Sequence, residues 1–151
     1  IVDEEAYQTK EAIILVDNVL KTLQALANYH RRQLNIPIIG LTGSNGKTTT
    51  KELLYVVLSK KHNTQATKGN LNNHIGVPLT LLSMTDKTEL GIVEMGANHQ
   101  KEIAFLCTIC EPDFATKPKS ARSQVANKIT KNIGRYIICF IQRPDKKITF
   151  S

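Results

Sequence analysis

The stretch "IPIIGLTGSNGKTTTKE", Ile36 to Glu52, decides the fold. Its first part is β-branched and uniformly apolar, as expected of a strand covered on both faces. Behind it lies a glycine-rich turn, and "KTTTKELLYVVLSKKH" then repeats apolar residues at helical spacing, with Leu53, Leu54, Val57 and Leu58 expected on one stripe. A strand, a glycine turn and a helix starting at or near Gly46 form the arrangement in which backbone N–H groups gather round an anion at a helix N-terminus. In such a loop Lys47 would reach the outer phosphates of a nucleotide, and the Thr48 hydroxyl would take a place on Mg²⁺. The strict pattern G-x-x-x-x-G-K-[ST] needs glycine at position 41, where this chain has Leu41, so the match is to the shorter form G-x-x-G-K-T.

Outward from this stretch, strands and helices alternate. Ahead of it, "AIILVDN", Ala12 to Asn18, has the composition of a short buried strand. Leu20, Leu23, Leu26 and Ala27 then recur at helical spacing behind Asn18, a candidate N-cap. That helix should stop before Ile36, because the residue preceding Pro37 is pushed out of the α region. Downstream, "NTQAT" suits a strand, "TKGNLNNHIG" a polar loop, "VPLTLLSM" a helix with Pro78 in its first turn, "ELGIVEMG" a buried strand and "NHQKEIAFLCTIC" a helix. The expected fold class is therefore α/β, a parallel sheet with helices on both faces. Ligands of such sheets collect at the carboxyl ends of the strands. Gly43 to Thr49, Asn70 to His74 and Glu94 to His99 all fall there.

In that position Glu94, which ends an otherwise apolar strand, would supply the hard oxygen ligand that Mg²⁺ takes beside a phosphate. Asn72, Asn73 and His74 carry side chains able to donate to phosphate or carboxylate oxygens, and asparagine in a glycine-containing loop also serves as a turn former. Asn98 and His99 read equally as a helix cap and a surface histidine.

Charge divides the chain unevenly. Of its net +7, residues 115–151 carry nine basic residues against the single acid Asp145, a net +8, which leaves −1 for residues 1–114. A nucleic-acid partner is disfavoured, since the body is not basic and the tail holds no recognisable motif. The tail is expected to be poorly packed, apart from "RYIICFIQ", whose β-branched and aromatic content suits a strand. Cys107, Cys110 and Cys139 are too few for a disulfide framework, and "CTIC" has no second ligand pair for zinc, so reduced thiols on a half-buried helix are expected. No run of about 18 apolar residues occurs. The opening "IVDEEAYQTK" has neither a basic start nor an apolar signal segment, so the expected compartment is the cytoplasm.

"LTGSNGKTTTKE", "GNLNNHIGVPLTLL", "EMGANHQKEI" and "EPDF" follow one another in the order and spacing of the Mur ligases of peptidoglycan synthesis, and the chain resembles that family over about Val19 to Phe114. The likeness is strongest to the branch that adds D-alanyl-D-alanine to UDP-MurNAc-tripeptide. It implies three segments: 1–18 as a remnant of the N-terminal substrate-binding domain, 19–114 as the first part of the central ATP-binding domain, and 115–151 as a divergent tail. Near codon 115 a shifted or joined coding sequence is expected. The resemblance further implies an ATP-dependent amide ligase acting through an acyl phosphate. In it Gly43, Ser44, Asn45, Gly46, Lys47, Thr48 and Thr49 bind the ATP phosphates, and Lys47 stabilises the charge on the transferring group. Thr48 and Glu94 hold Mg²⁺, while Asn72 and Asn73 orient the γ-phosphate and the UDP-MurNAc-peptide. On the same reading the fragment binds nucleotide but does not complete the reaction alone. A nucleotide-binding module without ligase activity is the alternative from another class, and another Mur or folylpolyglutamate-type ligase the alternative within this one.

Overall fold

A computed structural model describes residues 1–99 and 101–115. The tail strand expected at "RYIICFIQ", the packing of the tail and Cys139 lie outside these residues. Among the described residues four α-helices, α1 (Val19–Leu34), α2 (Lys47–Leu58), α3 (Gly76–Leu82) and α4 (Glu102–Cys110), alternate with four strands. The strands β1 (Ile38–Leu41), β2 (Thr64–Ala66), β3 (Leu90–Glu94) and β4 (Phe114–Ala115) form one sheet in the order β2-β3-β1-β4, parallel at each pairing. The register sets Ile39 beside Ile92 and Leu41 beside Glu94.

Side chains alternate across this sheet with period two. Ile38 and Val93 join one core cluster with Ala27, Val77, Leu81, Met84, Leu106 and Ile109, which α1, α3 and α4 cover. Leu41, Leu90 and Ile92 point to the other face, against Leu54 and Leu58 of α2. Helices lie on both faces, as expected. The stripe expected on α2 is only half right. Leu54 and Leu58 pack inward, whereas Leu53 and Val57 are 63% and 66% exposed, because residues one position apart sit about 100° round a helix and α2 meets the sheet along a single line.

The capping and stop signals of α1 behave as read. Asn18 Oδ1 accepts from Lys21 N at 2.8 Å, and the helix ends at Asn35, which turns left-handed with φ 48. The strand expected at "AIILVDN" does not form. Leu15 makes an isolated parallel bridge with Val2, and Ile14 and Leu15 stand 60% and 41% exposed. An apolar run becomes a buried strand only when a sheet edge is there to receive it, and here the bridge is the whole of the pairing.

A buried ion pair ties the amino ends of the strands to α1. Arg31 donates to Asp113 Oδ2 at 2.7 Å and to the carbonyls of Ile36, Cys110 and Glu111, while Asp113 Oδ2 also accepts from Ile38 N at 2.8 Å. The aspartate of "EPDF" is therefore a fixture of the sheet end opposite the loops that follow β1, β2 and β3.

Candidate functional site

At the carboxyl end of β1 the chain turns through Gly43 to Gly46 and enters α2. Gly46 is the N-cap with φ 74, a left-handed conformation that glycine adopts without a Cβ penalty. Thr50 N is bonded to Gly46 O at 2.9 Å. The amides of Lys47, Thr48 and Thr49 precede it and have no acceptor within the helix, so they face out of its positive end. Lys47 Nζ folds over this opening and donates to Gly43 O at 2.7 Å. Ser44 and Asn45 form the exposed tip of the loop, and Thr49 lies exposed in the first turn.

Period-two alternation carries Glu94 onto the α2 face of the sheet, after Leu90 and Ile92. Its side chain is 1% exposed. Oε1 accepts from Asn72 Nδ2 at 2.9 Å and lies 3.3 Å from Thr48 Oγ1. Oε2 is buried and has no hydrogen-bond partner among the described residues. A buried carboxylate oxygen left without a donor is unfavourable, and a cation beside it removes the penalty. The donors at hand, one carboxylate and one hydroxyl, are hard oxygens of the kind Mg²⁺ takes in small number next to phosphates. Among the described residues no group of three or more His, Cys, Asp or Glu would hold a metal by protein ligands alone. The site fits an ion that a nucleotide helps to ligate.

The loop after β2 closes one side. Asn72 O accepts from Gly96 N at 2.8 Å, so the Asn70–Asn73 and Gly96–His99 loops are joined through their backbones. A Cβ at Gly96 would stand 2.9 Å from Asn72 Oδ1, so glycine permits this close approach. Asn73 does something different from Asn72: its Oδ1 accepts from Gly76 N at 2.8 Å and Ile75 N at 3.1 Å and caps α3. Both asparagines border a cavity of about 600 Å³ whose wall also includes Lys47, His74, Asn98 and Glu102. Glu102 fixes the far side of this cavity. Its Oε2 accepts from Asn98 N at 2.6 Å and His99 N at 3.1 Å, and the amides of His99 and Asn98 hold the carboxyl below its ordinary value. In "NHQKE" the sequence thus carried a cap in reverse, with the acid rather than the asparagine as the acceptor.

The structure brings Lys47, Thr48, Glu94 and Asn72 together and leaves Asn73 on the rim as a helix cap. Reading by motif passed over Glu102, Lys51 and Thr67. Lys51 recurs four residues after Lys47, on the same side of α2, and that spacing was the available signal. The two cysteines of α4 are free, with Cys110 buried and Cys107 half-buried; burial pushes both thiols up from their ordinary value. Among the described residues no helix is long and apolar enough to cross a membrane.

Known proteins carry the same framework. The chain is 47% identical over 104 residues to the UDP-N-acetylmuramoyl-tripeptide--D-alanyl-D-alanine ligase of Bacillus subtilis, a match covering 69% of this chain and 23% of that enzyme. The UDP-N-acetylmuramoylalanyl-D-glutamyl-2,6-diaminopimelate--D-alanyl-D-alanyl ligase of Acinetobacter baumannii superposes with a TM-score of 0.66 at 39% identity, over 72% of this chain and 25% of that one. For the MurF ligase of Thermotoga maritima, solved in complex with ADP, the TM-score is 0.62 at 39% identity, over 70% and 25%. This chain thus spans about a quarter of the length of these relatives. Residues 41–116, half of the chain, match the Mur ligase middle domain. They run from Leu41, the last residue of β1, through the glycine loop, β2, β3 with Glu94, and β4, and the chain belongs to the Mur ligase family.

Proposed function

We propose that this chain supplies the nucleotide-phosphate and magnesium grip of an ATP-dependent ligase that joins D-alanyl-D-alanine to UDP-MurNAc-tripeptide. The observation that carries the reading is the meeting, at one helix N-terminus, of three outward amides, Lys47 and the buried carboxylate of Glu94 with one oxygen lacking a donor. Bound Mg²⁺ would neutralise charge between the outer phosphates. Lys47 exchanges its bond to Gly43 O for a γ-phosphate oxygen and stabilises the charge that develops there. Thr48 and Glu94 are the protein's ligands to the metal, and Asn72 keeps the Glu94 carboxylate in place. Gly43 to Thr49 present the backbone. In the reaction a substrate carboxylate oxygen bonds to the γ-phosphorus as the bond to ADP breaks. The dipeptide amine then attacks the acyl carbon, and inorganic phosphate and a proton leave. ATP as substrate goes with a cytoplasmic location.

The segment boundaries at residues 18 and 114 belong to the same proposal. So do the roles of Ser44, Asn45, Thr49 and Asn73 around the phosphates and the UDP-MurNAc-peptide. The test is titration of the 151-residue chain with a fluorescent ATP analogue in the presence of Mg²⁺, alongside Lys47→Ala. Phosphate release is followed in the presence of ATP, the muramyl tripeptide and D-alanyl-D-alanine. Binding that Lys47→Ala weakens by about tenfold or more supports the grip, since one charge-assisted phosphate contact is worth about 1.5–3 kcal/mol. Equal affinity in the two proteins would falsify it. Phosphate release that depends on D-alanyl-D-alanine distinguishes the ligase from a module that binds nucleotide only.

A further inference from the structure

Lys51 has no part in the grip described above, yet its side chain is 1% exposed, among the most deeply buried large side chains of the described residues. An ammonium in such a place is unfavourable unless it is paired and hydrogen-bonded, and a leucine or methionine would fill the same volume without that penalty. What Lys51 holds is specific. Its Nζ donates to Thr67 O at 2.7 Å and lies 3.0 Å from Glu52 Oε1, a carboxylate that is 61% exposed.

Thr67 is the residue at which the chain leaves β2 for the Asn70–Asn73 loop. It is 2% exposed and held on three sides. Lys51 takes its carbonyl, its N–H donates to Ile92 O at 2.9 Å, and its hydroxyl accepts from Glu94 N at 2.9 Å. The same few residues therefore fix the backbone of Glu94 and the start of the loop that delivers Asn72 to Glu94 Oε1. Because Lys51 stands on the helix whose first turn carries Thr48, the contact also fixes the distance between the two halves of the metal site.

We propose that Lys51 is a positioning residue for the magnesium carboxylate: through Thr67 it sets where Glu94 and Asn72 stand relative to Thr48. This rests on the reading of Thr48 and Glu94 as the ligands of a nucleotide-bound Mg²⁺. A partner that orients a ligating carboxylate typically changes metal affinity by about 10–100-fold. Lys51 is too enclosed to touch the nucleotide, so its loss should act on the metal and not on metal-free nucleotide binding.

The experiment uses the 151-residue chain and a fluorescent ATP analogue. The Mg²⁺ concentration at half-saturation is measured at saturating nucleotide, together with nucleotide affinity in EDTA, for the native chain and for Glu94→Gln, Lys51→Met, Thr67→Val and the Lys51→Met/Thr67→Val double variant. Glu94→Gln should abolish the magnesium dependence. If it leaves that dependence intact, the reading of the site itself fails, whatever Lys51 does. Lys51→Met and Thr67→Val should each raise the half-saturating Mg²⁺ by about tenfold with EDTA affinity within about twofold, and the double variant should be no worse than either. A general loss of folded protein would lower both affinities together. Magnesium dependence that is lost in Glu94→Gln and unchanged in Lys51→Met overturns the positioning role, as do single effects that multiply in the double variant. Should Lys51→Met not fold, Thr67→Val carries the test alone, and an unchanged half-saturation overturns the proposal.

Discussion

Glu94→Gln separates a carboxylate kept for a metal from one kept for the fold, because the two roles predict opposite signs. Oε1 accepts from Asn72 Nδ2 at 2.9 Å, and Oε2 is buried with no donor among the described residues. Glutamine retains a carbonyl oxygen for the first contact. That bond changes from charge-assisted to neutral, a loss of about 1 kcal/mol given that charged hydrogen bonds are roughly twice as strong. At the Oε2 position an unsatisfied charged oxygen, costing about 3 kcal/mol or more, gives way to an unsatisfied neutral amide costing about 1–2 kcal/mol. The balance favours glutamine by about 1 kcal/mol, which raises Tm by about 4 °C for a domain of this size. Thermal unfolding followed by circular dichroism in EDTA measures it. With Mg²⁺ and ATP at about 100 times Kd, the native chain should gain about 2.7 kcal/mol by mass action, and Glu94→Gln should lose the part of that gain that depends on Mg²⁺. A metal-free Tm for Glu94→Gln lower than native by about 4 °C would refute the reasoning, since the carboxylate would then be serving the fold.

Three further predictions concern the surroundings of the site and the frame beneath it. Gly96→Ala places a methyl group 2.9 Å from Asn72 Oδ1, so Asn72 must shift off Glu94 and the half-saturating Mg²⁺ should rise by about tenfold; an unchanged value would show that Asn72 adjusts without cost. The Glu102 carboxyl is held below its ordinary value of 4.5 by the His99 and Asn98 amides. Its grip on the 96–99 loop is therefore complete above pH 4.5 and is lost as pH falls through the lower folded value. The Asn98 amide proton, followed by NMR, should shift with a midpoint under 4.5, and a midpoint above it contradicts the assignment. Arg31→Met removes one partner of an ion pair whose side chains are both 3% exposed. Unfolding in urea should show a loss of about 3–5 kcal/mol, a large share of a domain's usual total, and a loss under about 1 kcal/mol would mean that the pair contributes little.

How far the sequence could be read depended on whether a residue acts through its type or through the backbone of another segment. Lys47, Thr48 and Glu94 were legible because each announces itself: a lysine and a threonine after a glycine turn, and a lone acid closing an apolar strand. Their meeting was legible too. Parallel strands present their carboxyl ends on one side of the sheet, and the Leu41–Glu94 register sets two of those ends side by side here. Composition misled where it lacked a partner. "AIILVDN" reads as a strand, but only Val2 pairs with it, and Leu53 and Val57 are apolar on a helix whose inner line holds Leu54 and Leu58.

Lys51, Thr67 and Glu102 were hidden for the converse reason. Each is bonded to a main-chain atom: the Thr67 carbonyl, the Glu94 amide, and the Asn98 and His99 amides. A peptide group carries no sequence signature, so the choice of partner is fixed only when the fold sets one loop against another. Asn72 and Asn73 make the point within two residues. The same side chain serves once as the donor to a buried carboxylate and once as a helix cap, and nothing local distinguishes them. What does is the length of the path from Thr67, which ends Asn72 beside Glu94 and Asn73 beside the first amides of α3. In this fold the residues that carry charge are announced by the sequence, whereas the residues that aim it become visible only from the backbone.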